Sequence, residues 1–129
     1  MAILVDTGVF AAILDDRAVG FQLTGIQIAA LSGGERVVVS AISFYEIGQK
    51  VRIGKWAEMA AYAADLEAVA RAANISVHSL NGSILSNAAL MDWAHRDPFD
   101  RIIVATAHYR DMALLTTDEH MKSFYGKTI

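Results

Sequence analysis

The chain of 129 residues contains no cysteine, which excludes a disulfide framework and any thiolate metal site. It has one proline, Pro98, and no apolar run approaching the roughly 18 residues of a membrane span. Linkers, internal repeats and low-complexity segments are missing too, so one domain over residues 1–129 is expected. The opening Met1-Ala2-Ile3-Leu4-Val5-Asp6 has no basic stretch and meets an acid at once, so it does not read as a signal peptide. A cytoplasmic location without membrane contact is the expectation, and the sequon-like Asn81-Gly82-Ser83 then reads as an Asn-Gly turn. Basic excess is also lacking: the net charge is −3, unlike that of a strongly basic nucleic-acid binder. Setting four of the 14 acids aside as metal ligands leaves ten against 11 bases, so charge neither supports nor excludes a nucleic-acid substrate. With 54% hydrophobic and 19% charged residues, the composition is that of a folded domain with a sizeable core.

What is present is organised around His95-Arg96-Asp97-Pro98-Phe99-Asp100-Arg101 and the apolar run Ile102–Ala107. Pro98 suits the first position of a helix, where a missing N–H costs no bond. Asp97 then falls at the N-cap and Asp100 at the third position, both favoured by free N–H groups and the helix dipole. The run that follows is apolar almost all round, as in a helix covered by the core.

Short β-branched or apolar runs at Ile3-Leu4-Val5, Arg36–Val39, Ile75-Ser76-Val77 and Met112–Thr116 read as strands, with Lys127-Thr128-Ile129 as a further edge strand. Between them, helical spacing predicts helices from Asp6-Thr7 to Leu14, from Phe21 to Leu31, from a Ser40 cap to Gly54, over the Ala-rich Trp56–Ala73, and from Ile84 to Trp93. Strands alternating with helices imply an α/β domain: a mostly parallel central sheet of four to five strands flanked by helices.

Ligands bind such sheets beyond the carboxyl ends of the strands. Asp6 ends the first strand, Asp118 follows the fourth by two residues, Glu46 lies on the helix after the second strand, and Asp100 opens the helix feeding the fourth. Taken singly, each has a plainer use. Asp6, Asp97 and Asp118 serve equally as caps, and Glu46 can pair with Lys50 at i,i+4. Brought together, four carboxylates repel unless a cation neutralises them. An all-oxygen set suits Mg²⁺ or Mn²⁺, which can activate a water against a phosphodiester. His78, His95, His108 and His120 show no close ligand spacing and read as surface or packed residues. Lys50, Arg52, Lys55, Arg96 and Arg101 are candidate phosphate contacts, or ordinary solvated charges.

Leu4-Val5-Asp6-Thr7, Ser40–Ile47 with Lys50 and Gly54-Lys55, His95–Arg101 and Leu114–Asp118 together resemble the successive motifs of PIN-domain proteins, and more narrowly of VapC-type toxins of toxin–antitoxin pairs. The resemblance runs from Ile3 to Tyr125-Gly126. It implies a Mg²⁺-dependent endoribonuclease that cleaves RNA, forms a homodimer and is inhibited by an antitoxin whose tail occupies the acidic groove. It further implies Asp6, Asp100 and Asp118 as metal ligands, Glu46 as water holder or general base, and Thr7 and Thr116 as supporting hydrogen-bond partners; Asp97 stays between cap and site residue. Two departures, the alanine-rich Ala57–Ala73 and the absence of proline in Ile75–Leu80, fall on substrate or antitoxin surfaces.

Other classes fit less well. A receiver module needs paired acids directly after the first strand and a lysine after the last, and a haloacid-type phosphatase needs an acid where Gly8 stands. A P-loop is excluded because five residues separate Gly48 from Gly54 and Trp56 follows Lys55. A PIN-like fold used only for protein binding remains the alternative.

Overall fold

The computed structural model describes residues 2–129. Four strands, β1 (Ala2–Val5), β2 (Arg36–Ser40), β3 (Ser76–His78) and β4 (Ala113–Leu115), form one sheet in the order β3-β2-β1-β4. All pairings are parallel, with Leu4 opposite both Val38 and Leu114, and Ser40 opposite His78. Seven helices accompany them among the described residues: α1 (Thr7–Leu14), α2 (Gly25–Ser32), α3 (Ile42–Arg52), α4 (Leu66–Ala72), α5 (Gly82–Leu90), α6 (Pro98–Arg110) and α7 (Glu119–Phe124). This is the expected α/β architecture, with a sheet parallel throughout and limited to four strands.

Parallel strands are covered on both faces, which is why they read as unbroken apolar runs. On one face Ile3, Val5 and Val39 pack with Val9 and Phe10 of α1, Ile47 of α3 and Leu66 and Ala70 of α4. On the other, Leu4, Val38 and Leu114 meet Ile103, Val104 and Ala107 of α6 and Met121 of α7. The chain moves outward from β1 to β2 to β3, then crosses back through α5 and α6 to place β4 on the far side of β1. The reversal in strand order therefore lies between β1 and β4, where open α/β sheets form their binding crevice.

Four local expectations shift. α2 starts at Gly25, not Phe21, because Thr24 and Gln27 cap it reciprocally (Gln27 N–H to Thr24 Oγ1 and Thr24 N–H to Gln27 Oε1, both 3.1 Å). The Ala-rich stretch is no continuous helix. It makes two short 3₁₀ turns, Ala57–Met59 and Ala63–Asp65, before α4. Its side chains are drawn elsewhere: Trp56 Nε1 donates to the Ala18 carbonyl at 2.7 Å, Tyr62 to Asp15 at 3.1 Å, and Met59 is buried. Packing overrides propensity there. The tail makes a single parallel bridge, Leu114 to Thr128, rather than a strand. Finally, α5 ends at Leu90, and the Asn81 side chain, expected in a turn, caps the helix by accepting from Ile84 N–H at 2.9 Å.

Residues 91–97 consequently run without helix, and their carbonyls need donors. Arg101 supplies them. Its guanidinium donates to the carbonyls of Ala88 (2.9 Å), Ala89 (3.3 Å), Met91 (2.7 Å), Trp93 (2.6 Å) and His95 (2.9 Å). Arg101 is thus a clamp on its own chain, neither the phosphate contact nor the solvated charge between which its sequence context leaves the choice. Lysine has neither the number nor the planar spread of these donors. Arg101→Lys should lower stability in urea unfolding by about 2–3 kcal/mol, while exposed Arg96→Ala should stay within about 0.5 kcal/mol of wild type.

Candidate metal centre

Parallel pairing carries β1 and β4 to a common rim, and Asp6 is the first residue past β1; its N–H still bonds to Leu115 at 3.3 Å. Asp6 caps α1, with Oδ1 accepting from Val9 N–H at 2.8 Å, while Oδ2 accepts from the Thr116 hydroxyl across the crevice at 2.5 Å. That hydroxyl oxygen in turn accepts from Asp118 N–H at 3.0 Å. Asp118 caps α7 through Oδ1, which takes Met121 N–H at 3.0 Å. Asp97 caps α6 in the same way, Oδ1 receiving Phe99 N–H at 2.8 Å and Asp100 N–H at 3.3 Å. Three acids for which cap and ligand were alternatives are all caps, and each retains acceptor capacity beyond its cap bond.

Glu46 differs. It sits on α3 only 6% exposed. Oε2 pairs with Lys50 Nζ at 2.9 Å, as the i,i+4 spacing allows, whereas Oε1 is buried with no hydrogen-bond partner. One turn earlier on α3, Ser43 Oγ meets Thr7 Oγ1 at 2.8 Å and ties α3 to α1.

Burial pushes the Asp6 carboxyl above its ordinary range, against the Thr116 and Val9 bonds, and the Asp118 and Glu46 charges add to the rise. Burial likewise pushes Asp100 up to about 6, opposed by His95 and reinforced by Asp97, Asp118 and Glu46. Because Asp118 and Glu46 act on both, the four predicted acids share one electrostatic neighbourhood.

An orphaned carboxylate oxygen inside a cluster of acids fits a hard cation, which takes oxygen donors and relieves their repulsion. Among the described residues, His95, Asp97 and Asp100 form the group that places one potential ligand atom each within 4.8 Å of one another, a group that includes Asp100 but not Asp6, Glu46 or Asp118. Sequence reasoning missed His95, whose Nε2 lies 2.7 Å from Asp100 Oδ2. Its approach depends on the fold-back of residues 91–97, which has no local sequence signature. Gln27 was missed as well. It is buried, and Nε2 donates to the Thr116 carbonyl at 3.0 Å and to the Ile129 carbonyl at 3.1 Å, bracing the strand end that holds Asp6.

The sequence matches the PIN domain family over residues 3–127, and the chain belongs to that family. Solved structures share its fold. A toxin–antitoxin complex from Klebsiella pneumoniae superposes with a TM-score of 0.66 at 15% identity, covering 98% of this chain and 95% of the other. VapBC-1 from nontypeable Haemophilus influenzae gives 0.63 at 17%, covering 97% and 96%. VapC20 from Mycobacterium tuberculosis, described as a sarcin-ricin loop cleaving toxin, gives 0.67 at 16%, covering 97% of each chain. Comparison with curated proteins found no match.

The raised acids set a pH dependence. A carboxyl raised on folding contributes stability below its unfolded value near 3.8, and that contribution is lost as pH rises through about 6. For Asp100 this amounts to at most about 3 kcal/mol, at roughly 1.4 kcal/mol per pH unit between the two states. In EDTA, urea unfolding of wild type should therefore lose stability relative to Asp100→Asn between pH 4 and 7. A constant difference between the two across that range would contradict the assignment.

Proposed function

We propose that this PIN-domain protein is a Mg²⁺-dependent endoribonuclease, with Mn²⁺ as a substitute ion, and the toxin of a toxin–antitoxin pair. The observation that carries this reading is the buried, unpartnered Oε1 of Glu46, a carboxylate whose charge acts on both Asp6 and Asp100. Similarity to toxin–antitoxin complexes and to a toxin described as cleaving the sarcin-ricin loop supports it.

In this reading Asp6, Asp100 and Asp118 hold the cation, with Thr7, Thr116 and Asp97 in supporting positions. The cation, when bound, supplies neutralisation of the carboxylates, a lowered water pKa and stabilisation of charge developing on the phosphodiester. The protein's own groups do the rest. Thr116 fixes Asp6 through Oδ2, and His95 fixes Asp100 through its own Oδ2. Lys50 holds Glu46 by Oε2 and leaves Oε1 to accept the proton of the attacking water. The substrate is RNA, the protein partners are a cognate antitoxin and a second copy of this chain, and the location is the cytoplasm.

Purified protein incubated with total RNA should cleave it in Mg²⁺ and not in EDTA, with discrete ends on mapping. Asp100→Asn should lose at least about a hundredfold of that activity with the fold intact by circular dichroism. Undiminished cleavage would overturn the assignment. Mg²⁺ should also raise the melting temperature of wild type, and less so that of Asp6→Asn. Asparagine preserves the α1 cap but not the acceptor for Thr116, so the quantity compared is the Mg²⁺-induced rise in each protein rather than its melting temperature in EDTA.

A further inference from the structure

Aromatic rings flank the acids on two sides, and the two groups are not equivalent. On the α7 side, Phe124 stacks on Trp93 with centroids 4.6 Å apart and 12° between planes, and His120 stacks on His95 at 5.2 Å and 15°. Those rings are turned onto one another and fasten α7 to the segment before α6. On the α3 side, Tyr45 directly precedes Glu46 and is 62% exposed. It touches Phe99, directly before Asp100, with centroids 6.1 Å apart and planes 34° apart. Phe99 is half-buried and its N–H is held by Asp97 at 2.8 Å, so the backing ring is anchored while the outer one is open. The Tyr45 hydroxyl has no protein partner among the described residues.

The charge around the acids sharpens the question of what Tyr45 is for. Even with the four acids neutralised by a cation, ten acids face 11 bases, so net charge alone gives a polyanionic ligand little purchase. Two of the five cations that might meet phosphates are already occupied, Lys50 by Glu46 and Arg101 by five carbonyls. Binding then needs a contact that does not rely on charge, and an open aromatic face beside the reacting centre supplies one. Inside a duplex that face is covered by the neighbouring base pairs, whereas a single strand can turn a base out to offer it.

Resting on the nuclease reading above, we propose that Tyr45, backed by Phe99, is the platform on which one unpaired base flanking the scissile phosphate stacks. Tyr45 therefore sets affinity and the preference for single-stranded substrate, and performs no chemistry.

The test uses a single-stranded oligonucleotide spanning a cleavage site mapped in total RNA, the same oligonucleotide with an abasic residue at each flanking position in turn, and its duplex. Wild type, Tyr45→Leu and Tyr45→Phe are compared for Kd in EDTA and for KM and kcat in Mg²⁺. Stacking on one base predicts about a tenfold rise in Kd and KM for Tyr45→Leu, kcat within about twofold, and near wild-type values for Tyr45→Phe. One abasic position should cost wild type a similar factor and cost Tyr45→Leu almost nothing. Additive losses, equal losses in the phenylalanine variant, a loss confined to kcat, or a change only in oligomeric mass would each overturn the proposal. A wild type that cuts RNA but shows additive losses removes the stacking role alone. A wild type that neither binds nor cuts RNA removes the nuclease reading and this inference together.

Discussion

The bond from the Thr116 hydroxyl to the Asp6 carboxylate spans the one seam where the strand order of the sheet reverses. It joins the ends of β1 and β4 and fixes the orientation of a buried acid. The same hydroxyl oxygen receives the backbone of Asp118. Gln27 braces the Thr116 backbone from behind and reaches the chain's last residue with the same amide. The position of the acids thus derives from sheet topology, locked by a few buried polar contacts, and not from any loop of their own.

Electrostatics and folding pull in opposite directions at this rim. Helix N-termini welcome carboxylates, and Asp6, Asp97 and Asp118 all begin helices. Burial and mutual repulsion resist them, as the upward displacement of Asp6 and Asp100 records. Each capping acid commits Oδ1 to its helix, which lets one side chain serve the fold and face the cluster at once. Capping a helix and facing a cation are therefore compatible uses of the same carboxylate, since Oδ1 serves the one and Oδ2 keeps acceptor capacity for the other.

The large features were legible because they rest on local chemistry. Pro98 with Asp97 and Asp100 marked the start of α6, the valine run marked β2, and Asp6 marked the end of β1. What escaped depended on distant contacts. The Ala-rich segment has high helical propensity at most positions but is pulled apart by Trp56, Met59 and Tyr62 reaching into the α1 side of the core. The tail bonds to the backbone of Leu114 and Thr116 yet makes one bridge, Leu114 to Thr128, which no local pattern in Lys127-Thr128-Ile129 distinguishes from a strand. Arg101 looked like one surface charge among several, and its true role appears only once the chain turns back over it. His95 enters the cluster by the same turn, so one missed clamp concealed one missed neighbour.

The double duty of the capping acids bears on how such a sequence is read among its kin. A relative without the proposed activity would still be under pressure to keep Asp6, Asp97 and Asp118, since three helices start on them. Glu46 starts none, and its partnerless oxygen makes it a burden on the fold once no chemistry is asked of it. Divergence toward an inactive scaffold should therefore register first at position 46, which makes that position more informative about lineage than the aspartates around it.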